Sequence, residues 1–232
     1  EVMLSAPARL HVRGMAINLV TKDYAGKKLV SGQIQSTWNQ SKYGEWQGKG
    51  NLLLQKGKLG LDAMYSFTDG TSYGETNNDA NHPLLGKRVA YQDKTSQKTD
   101  GLTHNYRLGL SYDFADNHQL SLAYTGKWDS SHSHHETIGA STSQQHGNEH
   151  IYLHNIDASY TLPFGLQLGM SYLYYKDPRQ QNLEGTMLNE ERTIETNSKQ
   201  VIDKWLFTAD QSHSLKHGWE LSYGMKFQRS NN

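Results

Sequence analysis

Apolar and polar residues alternate along most of this chain. In the segment KLGLDAMYSFT, from Lys58 to Thr68, Leu59, Leu61, Ala63, Tyr65 and Phe67 take every second position. Gly60, Asp62, Met64, Ser66 and Thr68 fall between them. A period of two predicts a β-strand with one apolar face, because successive side chains leave opposite sides of the backbone. The pattern recurs at Tyr106 to Phe114, Leu120 to Trp128, Ile156 to Leu162, Leu166 to Tyr174 and Trp219 to Phe227. Fainter versions occupy Leu29 to Trp38, Glu45 to Leu54 and Val201 to Ala209. This makes nine strands with no competing helical period, and an all-β, antiparallel fold is expected.

The connections carry a second pattern. Gln55-Lys56-Gly57, Ala115-Asp116-Asn117, Pro163-Phe164-Gly165 and the segment from Gln211 to Gly218 are short. The links between them are long and polar, at roughly Asp69 to Gly101, Asp129 to Gly147 and Lys176 to Lys199, where loops are expected. On that long side only Gln40 to Gly44 is brief. Short turns on one side and long loops on the other are the plan of a transmembrane β-barrel, whose strands need about 9–11 residues to cross. A soluble β-sandwich shares the alternation but turns its apolar face inward. Three features favour the barrel. Long structureless loops are uncommon in compact soluble domains. Phe67, Phe114, Trp128, Tyr160, Tyr174 and Trp219 sit near strand ends on the apolar side, as interfacial girdles require. Asp62, Arg107, Asp157 and Lys226 lie on the opposite side, where a dry core would penalise them.

Composition agrees. Only 35% of the 232 residues are apolar and the mean hydropathy is −0.79, a thin supply for a soluble core but ordinary for a barrel with a wet lumen. No run of about 18 apolar residues exists to form a transmembrane helix. Lys plus Arg and Asp plus Glu balance at 23 each, which leaves no basic excess for nucleic acid. The absence of cysteine removes disulfides and thiol chemistry. No nucleophile, phosphate-loop or zinc-protease motif is found, so no enzymatic activity, cofactor or resident metal is expected.

Two groups of residues could touch a ligand. The run SHSHHE, from Ser131 to Glu136, brings His132, His134 and His135 into one predicted loop, with His146, His150 and His154 further along. Imidazole is a common metal ligand, and such a cluster could meet a metal complex or haem. A merely His-rich polar loop gives the same composition. Tyr73, Tyr91 and Trp46 could stack on a sugar or siderophore.

The segment VRGMAINLVTK, from Val12 to Lys22, is a compact strand with only eleven residues before it. Its Arg13, Gly14, Ile17, Asn18, Thr21 and Lys22, with Leu19 and Val20, resemble the end of the plug domain in TonB-dependent outer-membrane receptors. The Arg-Gly-x-Ala-Ile-Asn form resembles most the outer-membrane β-barrel receptors of Bacteroides-like bacteria. The resemblance implies that residues 1–22 end a plug and residues 23–232 begin a barrel of about 22 strands. It implies a fragment of an active uptake receptor for siderophore, haem, cobalamin, peptide or glycan. Its partners would be outer-membrane lipid, the TonB complex, a small-molecule or glycan ligand and a surface lipoprotein. Without the resemblance, a soluble or surface-attached adhesive or carbohydrate-binding β-module remains the alternative.

Overall fold

The structure, a computed structural model, describes residues 2–3, 16–17, 28–84, 87–115, 118–139, 142–187, 190–214 and 220–232. Every regular element among them is a β-strand. Two short strands, β1 (Val2–Met3) and β2 (Ala16–Ile17), pair antiparallel through Val2 with Ile17 and Met3 with Ala16. Ile17 therefore finds a backbone partner within the chain. Arg13, Gly14, Asn18, Thr21 and Lys22 lie outside the described residues.

The remaining nine strands form one antiparallel meander in which each pairs with its neighbours in sequence. They are β3 (Lys28–Gln40), β4 (Gly44–Lys56), β5 (Leu59–Leu84), β6 (Lys87–Ala115), β7 (His118–Gly139), β8 (Thr142–Thr161), β9 (Leu166–Met187), β10 (Glu190–Ser214) and β11 (Glu220–Asn231). All nine predicted strands are present. β3 and β11 are the two edges of the sheet. An odd number of antiparallel strands leaves these edges running in the same direction.

The long polar loops expected after Asp69, Asp129 and Lys176 are instead strand. β5 and β6 stay paired from Leu59 opposite Tyr112 to Leu84 opposite Lys87. β7 and β8 stay in register as far as Thr137 opposite Ser143, and β9 and β10 as far as Met187 opposite Glu190. In these extensions both faces are polar, so the periodic hydrophobic signal vanishes while cross-strand hydrogen bonding continues. Thr71 Oγ1 donates to Asp100 Oδ1 at 2.6 Å, Thr103 Oγ1 to Asp129 Oδ2 at 2.6 Å, and Thr95 and Thr137 hydroxyls meet at 3.1 Å.

Turn chemistry fixes the register on the other side. Gly57, at φ +60°, opens the two-residue turn between β4 and β5, a conformation that costs a Cβ-bearing residue. Between β8 and β9, Gly165 N donates to Leu162 O at 2.9 Å around Pro163 and Phe164, and Gly165 takes φ +87°. Proline at the second position and glycine at the last match the demands of that turn.

Pairing sorts the side chains into two faces. One carries Val30, Ile34, Leu52, Leu54, Leu61, Leu108, Leu122, Ile156, Met170, Phe207 and Phe227 in register across all nine strands. The other carries Asp62, Arg107, Ser111, Ser121, Asp157, Ser159, Thr208 and Lys226. Among the described residues no apolar side chain is buried. Leu108, on a central strand, is 57% exposed, so the bare apolar face is not an edge effect.

Candidate functional site

The apolar face ends in an aromatic rim at each side. At the rim towards the extended hairpins, Trp38 lies opposite Trp46, whose ring meets Phe67 edge-on at 4.9 Å. Tyr65 bonds His104 Nδ1 through its hydroxyl at 2.7 Å, and the His104 ring stacks on Trp128 at 5.1 Å. Tyr124 bonds His154 Nδ1 at 2.7 Å, and that ring stacks towards Tyr174 at 6.3 Å. Tyr172 and Trp205 close the row at 4.4 Å. At the turn side Tyr112, Phe114, His118 and Tyr160 form a second cluster, with Phe114 4.8 Å from Tyr112 and 4.7 Å from His118. His118 hydrogen-bonds Tyr160, and His213 bonds Tyr223 at 2.9 Å.

Each of these histidines answers a tyrosine hydroxyl, so a polar group on an apolar surface has a partner. Phe67, Phe114, Trp128, Tyr160 and Tyr174 are the rim residues expected from sequence, whereas His104, His118 and His213 are additions, and His154, expected with the histidine-rich loop, belongs to the rim instead. Their parity was the available signal, since His104 continues the Tyr106–Leu108–Leu110 phase and His118 that of Leu120. Trp219 lies outside the described residues. From Tyr112 to His104, about 3.4 Å per residue gives roughly 27 Å along β6. A tilt of about 40° would reduce that to roughly 21 Å, close to the apolar band of about 25 Å on membrane barrels.

The opposite face is built for water. Arg107 Nε donates to Asp62 at 3.2 Å. Further along, the buried Asp177 receives the Tyr175 hydroxyl at 2.9 Å and Arg179 Nε at 3.0 and 3.1 Å, while Arg179 also reaches Glu149 at 2.6 Å. Burial alone would raise the Asp177 pKa. The bonds from Arg179 and Tyr175 outweigh it and hold the carboxyl below its ordinary value.

The predicted ligand residues separate. His132 and His134 share the apolar side's parity on β7, opposite Asn148 and His146 of β8. His135 points to the other face, because adjacent strand residues must, so the three do not form one cluster. Tyr73 hydrogen-bonds Glu75, and Lys42 Nζ sits 3.4 Å from the Tyr73 ring centroid. Glu75 also pairs with Lys94 at 3.1 Å, and the Tyr73 and Lys94 bonds lower its pKa. Tyr91 pairs its backbone with Ala80, away from Tyr73, whose partner is Lys98. Trp46 belongs to the rim, where Trp38, Trp46 and Trp128 with Asp69, Asp100 and His132 line a hollow of about 500 Å³. Among the described residues no three His, Asp or Glu side chains converge as a metal site.

Compared with known proteins, the chain matches no family model and no curated relative.

Proposed function

We propose that this chain is a membrane-spanning part of a TonB-dependent outer-membrane receptor for active nutrient uptake. The observation that carries the reading is the apolar face, continuous over nine strands, with no apolar side chain buried among the described residues and bordered by two aromatic rims. An area of that size left in water is strongly unfavourable, and hydrocarbon is the natural solvent for it. The charged face then borders a wet lumen or a plug, with Asp62, Arg107 and Asp157 turned towards it. In this reading β3 and β11 pair with further strands, since single-chain bacterial barrels close with an even number. The VRGMAINLVTK stretch supports the receptor family by resemblance, and the ligand falls to the extended hairpins.

The test is fluorescence of Trp38, Trp46, Trp128 and Trp205 in micelles of brominated detergent. Strong quenching, with mass confined to micelles, is expected. A chain that is monodisperse in detergent-free buffer with unquenched tryptophan overturns the reading. That result would favour the soluble or surface-attached carbohydrate-binding module, for which the three-tryptophan hollow offers sugar-stacking surfaces.

A further inference from the structure

High on the β7–β8 hairpin, His134 and His146 stand directly opposite each other. Their Nδ1 atoms are 3.3 Å apart and their ring centroids 4.5 Å apart. A cation about 2.0–2.1 Å from both nitrogens, the usual Zn–N distance, would subtend an N–metal–N angle of roughly 104–111°. That is the tetrahedral value. The next strand supplies a third group in the same row, Asn182 of β9, which pairs with His146. The Asn182 amide donates its nitrogen to Glu184 at 3.2 Å, while its Oδ1 is buried and accepts no hydrogen bond among the described residues. An orphaned buried acceptor on the residue paired with one of two convergent imidazoles is an unusual expense for a surface row.

From this row we infer a divalent transition-metal site on the hairpin face. His134 Nδ1 and His146 Nδ1 are its ligands, and Asn182 Oδ1 is either a third ligand or the acceptor for a metal-bound water. Two neutral imidazoles and an amide oxygen suit Zn²⁺ and its neighbours rather than Ca²⁺ or Mg²⁺. Without metal, one ring donates Nδ1–H to the other. On binding, the donor ring moves that proton to Nε2, so both Nδ1 lone pairs face the cation and no net proton is released from neutral rings. The surroundings permit a positive charge. Lys98 of β6 lies opposite His134 but is held by Asp100 at 3.0 Å. Glu136 on β7 and Glu184 on β9 flank the row on the same face. His132 is engaged by Asn148 at 2.6 Å. The site is independent of the membrane reading, because the row stands whatever solvent covers the apolar face below it.

The experiment is a zinc titration by calorimetry on the full chain in detergent micelles, without an affinity tag. One Zn²⁺ per chain is expected, with binding weakened at least tenfold by His134→Ala or His146→Ala. Asn182→Leu should weaken it about 10–100-fold, as loss of a supporting ligand or orienting group does. His135→Ala, on the other face, should leave it unchanged. In parallel, Zn²⁺ should shift the His134 and His146 ring signals in the NMR spectrum of the unaltered chain, which needs no variant to fold. Absence of binding at millimolar Zn²⁺, affinity in His134→Ala and His146→Ala unchanged from that of the unaltered chain, or shifts confined to other histidines overturns the site. Quenching by brominated detergent should be the same with and without Zn²⁺, so failure of either proposal is visible separately.

Discussion

Several glycines on this sheet exist to make room for a neighbour's side chain. A Cβ added at Gly126 would lie 2.2 Å from the Tyr106 ring, and one at Gly48 would lie 2.3 Å from Phe67. At Gly109 it would meet Asp62 Oδ1 at 2.0 Å, the carboxylate that holds Arg107. Rings and carboxylates lie across these glycines instead of standing off the sheet. Gly126→Val should therefore displace Tyr106 and destabilise the sheet by about 1–3 kcal/mol. Gly74→Val, with nothing within 4 Å of the added Cβ, should be nearly silent. Denaturant unfolding of both variants in micelles checks the contrast. Asp177 makes a second prediction. Its folded pKa is depressed, so its contribution is present above the unfolded aspartate value of about 3.9 and is lost as pH falls through the lower folded value. Asp177→Asn should cost roughly 1–3 kcal/mol at neutral pH and flatten the acid limb of the stability profile below about pH 4.

Strands and turns differ in how they were written into the chain. The central parts of β3 to β11 were legible because one face must be apolar, and a period of two needs nothing beyond alternation. The upper halves of β5 to β10 were not. There Thr71, Tyr73 and Glu75 face Asp100, Lys98 and Ser96, and polarity on both sides reads as loop. Only partner identity, hidden from a linear reading, distinguishes a paired polar strand from a free one. The same parity rule explains the histidines. SHSHHE as a loop could gather three imidazoles, but as a strand it must send His135 away from His132 and His134. The row of His134, His146 and Asn182 joins residues 48 positions apart in sequence, and no spacing motif announces it. At the turns, Gly165→Val should cost about 1–3 kcal/mol by forcing a β-branched residue to φ +87°, whereas Phe164→Ala should cost less. Thermal or denaturant unfolding monitored by circular dichroism would rank the two.

At the scale of the molecule, the nine strands form a single layer that contains no interior of its own. Cohesion comes from eight antiparallel ladders and from side chains lying against the sheet, so stability depends on what solvates the apolar face. The structure also gives the sheet a markedly uneven upper outline. β3 and β4 turn back at residues 41–43, while β5 and β6 climb to Leu84 and Lys87. From Phe67 to Leu84, about 3.4 Å per residue amounts to roughly 58 Å of paired backbone. On the receptor reading that hairpin is a mast. An approaching antibody, phage tail or polysaccharide would encounter residues 75–84 and 87–95 before reaching any lower part of the wall. Antibodies raised against residues 75–84 should label intact cells, and those against the turn on the opposite side, at residues 55–60, should need permeabilised ones. Height, more than any chemical group, would then decide what this surface meets first.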